Sequence, residues 1–248
     1  MKSFIDLFRR KRSYGPPDRT VYAIGDIHGR KDLLERLVPR IKDHAGHSDY
    51  ELVFLGDYID RGPDSAGVVD YLIHSDTLSG IDCTYLKGNH EATLLEFLDT
   101  PEVGASWSTY GGFETLLSYG VQDVRLSKEE AAWAKTAKAL SEKLPASHLA
   151  FYRSLSSFAI RGDYFFVHAA TDPDKAIDQQ TDAEFLWIRD PFLNDARQLD
   201  YMIVHGHTPQ SEPSKDKRRI GLDTGAYQTG VLTAAAISAT GVEFISTR

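Results

Sequence analysis

The sequence predicts an α/β fold, a four-layer α/β/β/α sandwich of two mixed sheets with a small helical cap. Three observations carry this reading. Over residues 20–98, short apolar runs that stop at glycine alternate with stretches of helical period. Residues 100–145 change character, first glycine-rich and then rich in Ala, Lys and Glu. The remainder is dominated by strand-like runs. Two packed sheets with helices on their outer faces fit that order better than one doubly wound sheet.

The elements follow in turn. VYAIG at residues 21–25, ELVFLG at 51–56 and IDCTYLKG at 81–88 are β-rich and end at glycine. Between them, residues 31–44 place Leu33, Leu34, Leu37, Val38 and Ile41 at helical spacing, and helices are also expected over 65–74 and 91–98. This is βαβ grammar, and each polar motif falls just past a strand's C-terminal end, where open α/β sheets gather their ligands. YGGFETLLSYG at 110–120 and a helical stretch over 128–144 make the cap. FAIRGDYFFVHAA at 158–170 reads as a hairpin turning at Gly162-Asp163. Further strands are expected at 201–206, at 218–225 and from 230 to the end. The expected organisation is a tail at 1–18 and one domain at 19–248, with the cap inserted at about 100–145.

Composition narrows the function classes. The 248 residues are 42% hydrophobic and 26% charged, with a net charge of -8. No run approaches the roughly 18 apolar residues of a membrane span. An acidic chain is a poor match for nucleic acid held by bulk electrostatics. The one cysteine, Cys83, excludes an internal disulfide and a thiolate metal cluster, and reads as a small buried residue. In MKSFIDLFRRKRSYGPP at 1–17, Asp6 interrupts the apolar residues, so no signal-peptide core is present and a cytoplasmic protein is expected. Arg9, Arg10, Lys11 and Arg12 there offer at most a surface contact to anionic lipid or a partner.

Four loops hold most of the unusual polar residues: GDIHG at 25–29, GDYIDRG at 56–62, GNHE at 88–91 and GHT at 206–208. His168 ends a strand between the last two. Oxygen and imidazole donors without sulfur suit manganese, iron or zinc. An Asp-x-His pair on a tight loop sends two side chains the same way, and a carboxylate such as Asp57 has two oxygens with which to bridge a pair of ions. Singly, each motif is also compatible with a turn holding a hydrogen-bonded histidine.

Together and in this order, GDxHG, GDxxDRG and GNHE resemble the signatures of the phosphoprotein phosphatases, bacterial branch, within the calcineurin-like metallophosphoesterase superfamily. The resemblance implies two divalent ions, manganese before iron or zinc, with Asp26 and His28 on the first, Asp57 bridging, and Asn89, His168 and His207 on the second. It also implies direct attack on phosphate by a metal-bridging hydroxide. His90, beside Asn89 but not itself assigned to metal, is the natural general acid, and Asp60 its orienting carboxylate. Arg61 should grip the phosphate oxygens, and Arg189 is the candidate for a second arginine, with a structural ion pair to Asp190 or Asp195 as the alternative. Asp60 also reads as a plain turn residue.

Function follows from the same resemblance: a phosphomonoesterase acting on phosphoserine or phosphothreonine in proteins, with phosphotyrosine and small phosphoesters also open. A symmetrical dinucleoside polyphosphate hydrolase is the rival, and a non-catalytic scaffold of the same fold a minor one. Glu91 tips the balance toward the first, since the rival branch more often carries GNHD. Trp107, Tyr110 and Phe113 can serve either as a nucleobase platform or as core. No counterpart to the eukaryotic enzymes' aromatic-bearing loop is evident at 222–227. His205 reads as a supporting or a core histidine, Asp223 as an Asx-turn residue, and His44, His47, His74 and His148 as surface or satisfied structural groups.

Overall fold

In the computed structural model, which describes residues 13–122 and 130–248, the strand pleat alone explains two of the layers. Along β1 (Thr20–Ile24), Tyr22 and Ile24 join the apolar layer beneath the helices, while Val21 and Ala23 enter the core between the sheets. Strands buried on both faces read as unbroken apolar runs, which is why β1 and β2 were legible without alternation.

α1 (Lys31–Ala45) buries the five aliphatics expected of it. β2 (Tyr50–Phe54) runs parallel to β1 and sends Val53 inward, Leu52 and Phe54 outward. α2 (Ser65–His74) starts where the Asp64 carboxylate accepts the Gly67 N–H at 2.9 Å. β3 (Asp82–Tyr85) is parallel to β2, and on it Cys83 is half-buried rather than buried. α3 (Asn89–Asp99) begins two residues before the expected start at Glu91, which sets Asn89 and His90 on its first turn.

α4 (Gly104–Trp107), a turn at Ser108–Gly112 and α5 (Phe113–Ser118) lead to α6 (Glu130–Lys143) and α7 (Ala146–Ser154). Lys128, the expected start of the long cap helix, lies outside the described residues. Trp107, Leu116, Trp133 and Leu140 share one buried cluster with α1, α2 and α3, so the cap packs as part of the first helical layer.

β4 (Phe158–Arg161) and β5 (Tyr164–Val167) form the expected hairpin. α8 (Asp182–Trp187) and α9 (Asp190–Leu193) follow, then β6 (Met202–His205), β7 (Ser214–Lys215), β8 (Arg219–Gly221), α10 (Ala226–Thr229) and the hairpin β9 (Thr233–Ser238), β10 (Gly241–Ser246). The strand orders are β10-β9-β1-β2-β3 and β4-β5-β6-β8-β7, both sheets mixed. Val21, Ala23 and Val53 of one sheet meet Phe166, Val204 and Ile220 of the other. Phe165, Val167 and Ile203 face outward onto Phe185 of α8 and Phe192 of α9, which completes four layers.

Residues 1–12, which hold the basic run Arg9 to Arg12, lie outside the described residues. Part of the expected tail is anchored: the Tyr14 hydroxyl donates to the Leu199 carbonyl at 3.1 Å and the Gly15 N–H to Asp163 at 2.7 Å. Among the described residues no helix is long and apolar enough to cross a membrane.

Candidate active site

Backbone strain marks the site. Among the described residues the non-glycine positions with positive φ are His28 (46°), Asp57 (52°), Asp60 (72°), Arg61 (68°) and His207 (61°), all of them site residues expected from the sequence. The loops after β1 and β2 touch so closely that a Cβ on Gly62 would stand 2.0 Å from the His28 carbonyl oxygen. Backbone bonds fix the approach, since the Ile27 and His28 amides both donate to the Asp57 carbonyl, at 3.0 and 2.9 Å.

Asp57 sits at the centre. Its Oδ2 is 3.5, 3.8 and 3.4 Å from Nε2 of His28, His90 and His168. Two groups of three buried side chains, His28/Asp57/His90 and Asp57/His168/His207, each offer ligand atoms within 4.8 Å of one another. Asn89 Oδ1 lies 2.9 Å from both His168 Nε2 and His207 Nδ1 and so belongs to the second group. Asp26 stands outside both groups: its buried carboxylate accepts the His207 N–H at 3.2 and 3.0 Å. His90 stands with His28 and Asp57 in the first group, and Asp26 borders the second through His207.

The donors suit divalent cations. His28 Nδ1 donates to the Ile59 carbonyl at 2.8 Å and His168 Nδ1 to the Leu55 carbonyl at 2.9 Å, which turns each Nε2 toward Asp57, as second-partner bonds do for metal-binding imidazoles. His207 Nε2 is buried with no hydrogen-bond partner. Burial first, then neighbouring positive groups, lowers the pKa of His207 to about 2, and burial lowers that of His28 to about 3 against the pull of Asp57, so both are neutral donors. Burial works against the proton on His168 too, but Asp57 outweighs it and lifts the pKa to about 9; that proton occupies the charge a cation would supply.

Asp60 is fully buried, and its carboxylate accepts from His90 Nδ1 at 2.5 Å, Trp107 Nε1 at 2.8 Å and Thr115 Oγ1 at 2.5 Å. Asp60 also sits in a turn, with φ 72°, and three donors from separate elements aim at its carboxylate. Burial opposes the charged form of His90, but Asp57 and the bond to Asp60 outweigh it and hold its pKa above the usual histidine value.

Arg61 Nη1 lies 2.9 Å from His28 Nε2, and its guanidinium stands 4.9 Å from the centre of the Tyr227 ring. Tyr227 also meets the His28 ring edge-on at 5.4 Å, so an aromatic residue does stand beside the site, contrary to the reading of residues 222–227. Arg189 Nη2 donates to the His207 carbonyl at 3.3 Å. Among the described residues no ion pair joins it to Asp190 or Asp195, and Asp195 pairs with Arg197 instead. Trp187, 53% exposed, packs edge-on against the His207 ring at 6.2 Å.

Glu91 had been read only as a label, yet it is structural. Fully buried, it accepts the N–H groups of Gly88 and Asp57 on one oxygen, both at 2.9 Å, and those of Tyr58 and Ile59 on the other, at 2.8 and 3.2 Å. It thereby ties the helix of Asn89 and His90 to the loop of Asp57 and Asp60. A glutamine at 91 has one accepting oxygen, leaves two buried amides unpaired, and is expected to cost about 2–3 kcal/mol. Urea unfolding of Glu91→Gln should show the lower midpoint; an unchanged midpoint would mean that the Tyr58 and Ile59 amides do not depend on the second oxygen.

Other expectations divide. Trp107 is buried core and a donor to Asp60, Phe113 is half-buried, and Tyr110 is 66% exposed. Asp223 makes the Asx turn, accepting the Gly225 N–H at 2.9 Å. His205 is buried against Phe192 and lies outside both groups. His44 and His148 bond to the Tyr22 and Tyr119 hydroxyls, and His47 and His74 are exposed.

Known proteins resemble this chain in sequence and in fold. The model of the calcineurin-like phosphoesterases matches residues 19–231. Serine/threonine-protein phosphatase 1 of Salmonella typhimurium is 30% identical over 223 residues, 88% of this chain and 92% of its own. An asymmetrical bis(5'-nucleosyl)-tetraphosphatase of Halalkalibacterium halodurans is 26% identical over 249 residues, 90% of this chain and 91% of its own. A solved structure presented as a candidate diadenosine tetraphosphatase matches with a TM-score of 0.62 and 23% identity, over 93% of this chain and 95% of that one, a likeness that speaks for the fold alone.

Proposed function

The chain belongs to the calcineurin-like phosphoesterase family, and from that premise we propose that it is a protein phosphatase, removing phosphate from phosphoserine and phosphothreonine. One observation carries the choice: His90 is held by Asp60 at 2.5 Å with its proton stabilised. A serine or threonine alkoxide is a far stronger base than a leaving phosphate, so it has the greater need of a poised acid.

Asp26, His28, Asp57, Asn89, His168 and His207 would hold two divalent ions, with manganese the first choice and iron or zinc also suited. When bound, the ions supply charge that makes water acidic at neutral pH and neutralises phosphate oxygens. The chain's own groups do the rest. Arg61, with its side chain braced on Tyr227, donates to two phosphate oxygens, and Arg189 approaches from the His207 side. His90 gives the proton on Nε2 to the departing oxygen, while Asp60 keeps Nδ1–H directed and favours the imidazolium. Trp107 and Thr115 hold Asp60 in place.

A second reading, dinucleoside tetraphosphate hydrolysis, is supported by the name of the relative at 26% identity, although that name says asymmetrical where the sequence had suggested the symmetrical reaction. The test is manganese-dependent turnover of phosphoserine, phosphothreonine and phosphotyrosine peptides beside diadenosine tetraphosphate. Higher kcat/KM for the phosphoserine and phosphothreonine peptides is expected. Preference for the dinucleotide would replace the substrate class and keep the metal chemistry, and no turnover of any of them would favour the scaffold.

A further inference from the structure

A groove of about 450 Å³ opens from Arg61 along the cap, lined by Ser108, Thr109, Tyr110, Gly111, Glu114 and Tyr227. The turn that forms one wall is locked to the phosphate-gripping loop. The Arg61 N–H donates to the Gly111 carbonyl at 3.1 Å, Arg61 Nε donates to the Tyr110 carbonyl at 3.4 Å, and Gly111 has φ 113°, a conformation that glycine permits. A Cβ there would stand 2.6 Å from the Arg61 backbone nitrogen. The groove is thus fixed in distance from the phosphate position.

Its chemistry is uneven. Tyr110 presents an exposed ring, Tyr227 a half-buried one already covered by Arg61, and Glu114 a half-buried carboxylate on the lining. Among the described residues that line it, Arg61 is the one cation, and it is engaged by His28 and Tyr227. A carboxylate and an open aromatic ring lining one groove attract a cation, by charge and through the ring quadrupole.

We propose that this groove is a specificity subsite for a basic residue, lysine or arginine, flanking the phosphorylated residue, with Glu114 pairing its charge and Tyr110 covering its alkyl stem. This rests on the protein phosphatase reading, and it names the peptides which that activity prefers.

The experiment compares kcat/KM within each protein for two phosphothreonine peptides that differ only in carrying arginine or glutamate at flanking positions. For the unsubstituted protein with manganese, the arginine peptide is expected to win by about fivefold, the size of an exposed ion pair plus a cation–π contact. Glu114→Gln should lower the ratio to about twofold, the part left to Tyr110, Glu114→Arg should invert it, and Tyr110→Ala should lower it while leaving its sign. Because each ratio is internal to one protein, partial misfolding does not enter. Turnover of both peptides with the same ratio in all four proteins overturns the subsite and leaves the phosphatase reading intact. If neither peptide is turned over while diadenosine tetraphosphate is, the phosphatase reading itself falls and the subsite with it.

Discussion

Asparagine in place of Asp57 is expected to lower kcat/KM on a phosphothreonine peptide by about 10³-fold or more, the equivalent of losing several kcal/mol of charge stabilisation. Asp57 is the member common to both groups of ligand atoms, with Oδ2 within 3.8 Å of three imidazole nitrogens. An amide there keeps one weak acceptor and loses the negative charge that the two proposed cations would share. A second readout separates metal binding from chemistry. Manganese should raise the unfolding temperature of the unsubstituted protein by mass action, and Asp57→Asn should lose most of that rise. An equal rise in both proteins would show that Asp57 is not the shared ligand, whatever the activity does.

That prediction was open to a reader of the sequence, because the residues nearest Asp57 arrive in contiguous glycine-bounded loops directly after apolar strands. His168 and His207 were legible for the same reason, each following a buried strand. The supporting contacts were not. Trp107 and Thr115 reach Asp60 from 47 and 55 residues away, and no local pattern announces a long-range hydrogen bond. Glu91 lies inside a motif already recognised, so its second role as acceptor for four amides was hidden behind its first as a signature letter. Tyr227 sits on a four-residue helix too short to show a period. β7, two residues long, likewise carries no alternation, and only its pairing with β8 defines it. The cap's separate appearance in the sequence reflects its composition, whereas its tryptophans complete a core that the first three helices began.

His90→Asn should lower kcat on the phosphothreonine peptide by about 10²–10⁴-fold, the range of general acid catalysis. The loss should be much smaller for p-nitrophenyl phosphate, whose phenolate departs without a proton. His90 donates its backbone N–H to Asp57 Oδ1 and also lies among the ligand atoms around His28, so the thermal shift with manganese must be retained for the comparison to count. The same logic gives a sign for pH. A general acid works in its protonated form, so kcat falls as pH rises through its pKa. Asp57 and Asp60 hold the His90 pKa above the usual histidine value, against burial. Asp60→Asn removes one of those charges, and the alkaline limb of the kcat profile should move to lower pH. Equal losses on both substrates in His90→Asn would mean the imidazole binds phosphate rather than protonating the leaving group. A stationary alkaline limb in Asp60→Asn would assign that ionisation to another group. With both results as expected, the 2.5 Å contact between His90 and Asp60 is the device that lets one site expel an alkoxide.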